Sequence, residues 1–181
     1  METERQLLDA IRSGDREGLR RLYDRYAGYA MATALRYVPH HDEVRDVVQD
    51  SFVRVLTSIS RFQYQGEGSL KSWVLRIVAN RAIDYVRQQS VLSFVSDVPD
   101  EADDEPPEVD SLPPEVLTQL IGQLPTGYRL VLNLYVFEQC SHKEIARRLG
   151  IKEGTSASQY ARAKALLAKM IKEYLNHQQE R

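Results

Sequence analysis

At 181 residues the chain has room for one or two small domains, and its composition, 43% hydrophobic and 28% charged, is that of an ordinary water-soluble globular protein. No apolar run is long enough to cross a membrane, and the single cysteine, Cys140, excludes an internal disulfide. The start METERQLL is charged from its second residue and has no apolar signal core, so a reducing cytoplasm is the expected compartment.

Nearly every long segment carries a helical period, and no alternating strand pattern competes with it. Ser13-Gly14-Asp15 predicts a helix start, with Leu19, Leu22, Tyr23 and Tyr26 on one face. The period continues from Tyr29 to Val38 and breaks at Pro39-His40-His41. The next helix begins near Asp42, where Val44, Val47, Val48, Phe52, Val55, Leu56 and Ile59 form a stripe expected to pack inward. Arg45, Asp46, Gln49, Asp50 and Arg54 fall on the opposite face, which on composition alone reads as solvated. Phe62 to Gly68 is a loop with two glycines, and a further helix is predicted from Ser69 to Gln89. That helix offers Arg76, Asn80, Arg81, Asp84 and Arg87, with Phe62 and Tyr64 just before it. Basic side chains mixed with aromatics and an amide suit unpaired nucleic acid, because rings stack on bases while arginines hold phosphates. Trp73 shares a face with Ile77 and is expected in the core.

The near-neutral net charge of −2 hides a segregation. Gln88 to Tyr128 holds nine acids and neither Lys nor Arg, whereas the part before it carries +2 and the part after it +5. Within this stretch, Ser96 to Pro114 has five prolines and almost no large apolar side chains, so it predicts an extended or disordered linker. A second helical domain follows. Leu117, Leu120, Ile121 and Leu124 lead to a break at Pro125, and Leu130 to Phe137 predict a strongly apolar helix. Ser141 followed three residues later by Glu144 is a capping box, and Gly150 stands where a left-handed C-cap belongs. After the turn Ile151 to Gly154, another helix is expected to open at Thr155 with small polar residues first, then Arg162 and Lys164. That is the order a recognition helix needs when its N-terminal turns meet base edges in the major groove.

The residues offer no catalytic set, metal site or cofactor loop. Gly66-Glu67-Gly68 lacks the Lys-Ser/Thr that a phosphate loop requires. His40 and His41 read as a solvated turn and His177 as part of a polar tail, while exposure is expected of His142.

Together these segments resemble the extracytoplasmic-function subfamily of sigma-70 type bacterial RNA polymerase sigma factors. Asp42 to Phe52 is similar to the core-binding helix, Trp73 to Asn80 to the promoter-melting helix, and Leu124 to Arg129 with Ser141 to Leu167 to the C-terminal helix-turn-helix. The resemblance implies an all-α protein of two small domains joined by an acidic, Pro-rich linker. Residues 1–90 would bind polymerase and melt the −10 element, 91–114 would be the linker, and 115–181 would read the −35 element. Asp46, Gln49, Asp50 and Arg54 would dock on the clamp helices of the largest polymerase subunit. Phe62, Tyr64, Lys71, Arg76, Asn80, Arg81 and Arg87 would bind the −10 element, with an extruded base captured near Phe62 and Asn80. The loop is slightly long for the family, which leaves open which of its residues meets that base. Thr155, Ser156, Ser158, Gln159 and Arg162 would face the −35 element. Many relatives carry Arg or Lys where this chain has Ala157, which implies a weak grip by the isolated domain.

The implied partners are core RNA polymerase, including its flap, promoter DNA and an anti-sigma factor, with no cofactor and no membrane insertion. The linker, 24 residues from Gln89 to Leu112, can span at most ~80 Å extended but averages ~27 Å as a flexible coil. Two other functions fit parts of the sequence. They are a stand-alone helix-turn-helix regulator and an adaptor that binds a partner without DNA. A clamp-facing Asp46-Gln49-Asp50 surface separates the first reading from the regulator, and the basic last domain argues against the adaptor.

Overall fold

Thr3 opens the first helix with a reciprocal capping box. Its hydroxyl accepts from the Gln6 amide at 3.2 Å while the Gln6 side chain accepts from the Thr3 amide at 2.9 Å. In the computed structural model, which describes residues 2–89 and 112–179, the chain divides into two compact units, Met1–Tyr85 and Val86–Arg181. The described residues form eight α-helices and one short 3-10 turn, with no strand among them.

The first unit contains α1 (Glu4–Arg12), α2 (Arg16–Tyr37), α3 (His41–Ser58), the 3-10 turn Ile59–Arg61, and most of α4 (Ser69–Gln89). Asp15 caps α2 by accepting from the Glu17 amide at 2.9 Å. Leu22, Tyr26, Ala30, Ala34 and Tyr37 then line one buried face at helical spacing. Val44, Val47, Val48 and Val55 of α3 and Leu70, Val74, Val78 and Ala82 of α4 close the core.

Three features depart from the sequence expectation. Helix α1 is an element that the sequence reading did not assign, although the Thr-x-x-Gln capping signature and the buried Leu7 and Leu8 were there to be read. Leu56, expected to pack inward, is 41% exposed, and Tyr23, expected on the buried face of α2, is 48% exposed. The apolar surface of α2 and α3 is therefore wider than one small unit can cover.

The second unit contains α5 (Pro114–Gln123), α6 (Thr126–Val136), α7 (His142–Leu149) and α8 (Glu153–Gln179). Helix α8 is the spine, packing on each of the other three. Ile121, Leu124, Tyr128, Leu132 and Ala163 form a buried cluster, backed by Leu117, Tyr160, Leu166, Leu167 and Met170. The Arg129 guanidinium is buried and donates to the carbonyls of Gly122 and Leu124 at 2.9 and 3.0 Å, so it closes the C-terminal end of α5. Desolvation lowers its pKa, and these carbonyls give the buried cation partners. Helix α8 starts at Glu153, two residues before the expected Thr155. The acidic linker lies outside the described residues, apart from its last three positions.

Candidate polymerase and promoter surfaces

Helix geometry sorts the candidates on α3. At 100° per residue, Asp46, Gln49, Asp50 and Val53 fall within roughly 100° of one another, and all four are exposed, as is Arg54 on the flank. Val53 is 57% exposed in the middle of this polar strip. Beside it runs a groove lined by Tyr23 and Met31 of α2 and by Arg45, Val48, Gln49, Phe52 and Leu56 of α3. Its floor is firm, because the Tyr23 ring packs on Phe52 with centroids 4.8 Å apart. The surface thus combines a carboxylate and amide edge with an uncovered apolar ridge. That pairing suits a protein partner better than it suits water.

On α4, Arg76, Asn80, Asp84 and Arg87 lie within about 80° of one another and are all exposed, forming one polar stripe along the helix. Arg81 points away from it. Its Nε and Nη2 both donate to Asp50 Oδ2, at 3.1 and 2.7 Å. The sequence reading gave Asp50 to polymerase and Arg81 to DNA, whereas in the free chain each holds the other. Lys71 is likewise engaged, its ammonium 3.5 Å from the centroid of the Tyr29 ring.

Phe62 was expected to line an open pocket. It is 8% exposed and packs against Trp73 at a centroid distance of 4.9 Å, and Arg12 of α1 donates a short hydrogen bond to its carbonyl. Phe62 is therefore packed in the free chain, and the exposed side chains of the loop are Gln63, Gln65 and Glu67. Trp73, expected in the core, is half-buried. Tyr64 is half-buried too, and its hydroxyl donates to Glu67 at 3.2 Å. Burial together with that carboxylate raises its pKa.

The two glycines of the loop have the unusual backbone angles expected of them, but sequence reasoning missed Glu4 and Glu67, which hold the loop. Gly66 and Gly68 adopt φ of +112° and +89°, and Gly68 precedes α4, its carbonyl accepting from the Ser72 amide at 3.0 Å. A glycine has no side chain to cap the next amides. The carboxylate of Glu4, on α1, takes that place, accepting from Leu70 and Lys71 at 2.9 and 3.0 Å and from the Tyr26 hydroxyl at 2.7 Å. In exchange Glu67 accepts from the Glu4 amide, with both oxygens 3.2 Å away, and from Arg25 at 3.3 Å. Burial pushes the Glu4 carboxyl up, but the hydrogen bonds from Tyr26, Leu70 and Lys71 prevail and hold it below its ordinary range. Burial and the adjacent Glu4 push the Tyr26 phenol in the opposite direction, well up.

In the second unit the predicted capping box is present. The Ser141 amide donates to Glu144 at 2.8 Å, Ser141 Oγ accepts from the Glu144 amide at 3.3 Å, and Gly150 closes α7 with φ of +70°. Donation to the Glu144 carboxyl from the Ser141 amide, and from the Ser141 hydroxyl at 2.9 Å, holds it below its ordinary range.

The recognition face needs correcting. Thr155 and Arg162 are half-buried and Ser158 is exposed, but Ser156 is 0% and Gln159 2% exposed. Both belong to the stripe that continues backwards from Met170, Leu167, Leu166, Ala163 and Tyr160, so they face inward. Ser156 Oγ lies 3.0 Å from Nδ1 of His142, whose ring stacks on Tyr135 at 4.7 Å. His142 is therefore half-buried rather than exposed as expected, and it ties α7 to α8. The outward face carries Gly154, Ala157, Ser158 and Ala161.

Two family profiles match this chain, Sigma-70 region 2 over residues 22–91 and Sigma-70, region 4 over residues 115–167. An ECF RNA polymerase sigma-E factor of Haemophilus influenzae is 27% identical over 183 residues, covering 93% of this chain and 95% of the relative. An RNA polymerase sigma-H factor of Pseudomonas aeruginosa is 27% identical over 188 residues, covering 96% of each. Among solved structures, the sigma factor RpoE in complex with the anti-sigma factor NepR from Bartonella quintana is similar in fold. Its TM-score is 0.52 at 22% identity, over 84% of this chain and 96% of that one. With both halves matched in order, and full-length relatives of the same kind, the chain belongs to the extracytoplasmic-function group of the sigma-70 family of RNA polymerase sigma factors.

Proposed function

We propose that this sigma factor is a non-enzymatic, cytoplasmic subunit whose residues 1–90 bind core RNA polymerase and open the −10 element. Residues 115–181 hold the −35 element, and 91–114 tether the two. The observation that carries the reading is the α3 surface. Asp46, Gln49, Asp50 and Arg54 flank Val53, Leu56 and Tyr23, which are 57, 41 and 48% exposed. An uncovered apolar ridge edged by carboxylates and an amide is a surface that a clamp of packed helices can cover. Beside this docking face, the Arg76-Asn80-Arg87 stripe supplies phosphate and base contacts for the melted strand, with Tyr64, Lys71 and Arg81 bordering it. In the second unit, Thr155, Ser158 and Arg162 are the base-facing candidates, since Ser156 and Gln159 are buried. An anti-sigma factor is the natural competitor for the same apolar ridge.

The test is retention of core RNA polymerase by the tagged full chain, followed by run-off transcription. Gln49→Ala combined with Val53→Asp is expected to weaken retention at least about tenfold, the scale of one truncated hot-spot contact. Failure of the wild-type chain to retain core, or full retention by the double variant, would overturn the assignment.

A further inference from the structure

We infer that α1 belongs to the −10-reading apparatus, with Glu4 and Glu67 as positioning residues that fix the Phe62–Gly68 loop against the start of α4. The inference rests on the proposed −10 role of that loop and of Asn80.

Helix α1, at Glu4–Arg12, lies before the residues matched by the region 2 family profile, which begin at 22. Yet α1 makes the contacts that set where α4 begins. The two helices exchange acids at their N-termini. Glu4 of α1 accepts from the amides of Leu70 and Lys71, while Glu67, just before α4, accepts from the amide of Glu4. Glycine at 68 makes the exchange necessary. At φ of +89° a side chain there would be strained, so no local residue supplies the cap. The loop is held at a second point where Arg12 donates to the Phe62 carbonyl, and at a third where Arg25 and Tyr64 reach Glu67. Ser69 Oγ closes the turn internally, donating to the Gly66 carbonyl at 2.6 Å and accepting from Gln65 at 3.2 Å.

The clasp acts on both ends of the base-capturing segment. Glu4 is 2% exposed, so it cannot itself touch DNA, and its effect passes through Leu70 and Lys71 to the register of Arg76 and Asn80. Glu4→Gln preserves the shape but replaces one carboxylate oxygen with a donor that faces backbone N–H groups. Glu67→Gln makes the same kind of change at an exposed residue, where folding tolerates it.

The experiment uses holoenzyme made from core RNA polymerase and the full chain. The probe is fluorescein-labelled single-stranded DNA that the wild-type holoenzyme has selected from a random pool, compared with single-base variants of the same strand. Each variant is scored for base discrimination, and core affinity is measured in parallel as a readout that a folding defect would also move. Glu4→Gln and Glu67→Gln are expected to lower discrimination about tenfold, the fold-change of one charge-assisted hydrogen bond, with core affinity within about twofold of wild type. Glu67→Asp, which keeps the charge, is expected to recover part of the loss. Unchanged discrimination in a Glu67→Gln holoenzyme, alongside a loss in Asn80→Ala, would overturn the positioning role while leaving the −10 assignment intact. Absence of discrimination in the wild type, or no effect of Asn80→Ala, would overturn both. If Glu4→Gln fails to assemble with core, the Glu67 pair decides the matter.

Discussion

Replacing Ser156 with alanine separates the buried face of α8 from its DNA-facing side. Ser156 is 0% exposed, and its hydroxyl has His142 Nδ1 as a partner at 3.0 Å. Removing it deletes one neutral hydrogen bond and little volume, a loss of about 1 kcal/mol. For a folding unit of this size, about 1 kcal/mol lowers the melting temperature by about 4–8 °C. Ser158→Ala is the matched control, because Ser158 is exposed and its hydroxyl donates only to the Thr155 carbonyl at 3.0 Å. Calorimetry of the full chain should show the unfolding shift for Ser156→Ala and almost none for Ser158→Ala. Binding of duplex −35 DNA by the holoenzyme should show the reverse, with a roughly fivefold loss for Ser158→Ala only, the equivalent of about 1 kcal/mol. A tenfold loss of DNA binding by Ser156→Ala at unchanged stability would refute the inward assignment of that position.

Other perturbations follow from the same geometry. Gly150→Ala meets no atom within 4 Å, so its cost is that of the left-handed backbone at φ of +70°, about 1–2 kcal/mol, readable as a shifted urea midpoint. The Asp50–Arg81 pair has side chains 55% and 25% exposed, so a double-mutant cycle on stability should give a coupling below about 1 kcal/mol. Arg81→Ala should nonetheless reduce open-complex formation, measured by permanganate reactivity of the melted strand. The Glu4 carboxyl is held below its ordinary value of 4.5, so its ionised form stabilises the fold at neutral pH, and that stability is lost as pH falls through the lowered value. The stability gap between wild type and Glu4→Gln, measured by urea unfolding, should therefore be widest near neutral pH and shrink as pH drops below about 4.5. A gap that widens with acid would contradict the clasp.

Local signals were the legible ones. The bounds of α4, the Ser141–Glu144 box and Gly150 each depend on residues a few positions apart, and each was readable from spacing alone. The valines of α3 likewise announced their buried side. The resemblance implied a DNA-facing role for Ser156 and Gln159, whereas the phase of the Tyr160–Ala163–Leu167–Met170 stripe places them inside. Leu56 failed for the opposite reason, since an apolar residue at the right phase stays exposed where the fold has nothing left to cover it. Glu4 was illegible in principle. Its partners are 22, 66 and 67 residues away, and no periodicity marks a buried carboxylate that caps another helix.

That separation also sets an order of events during synthesis. Glu4 is translated before the amides it serves, which follow 66 and 67 positions later. At ribosomal speeds of about 5–20 residues per second, α1 waits roughly 3–13 s before those donor amides have been made. Until then the carboxylate can find the Tyr26 hydroxyl but not the amides of α4, and the loop to be closed is among the longest in the first unit. The clasp therefore closes late in folding, and a nascent chain truncated before Leu70 lacks the bonds that join α1 to the start of α4.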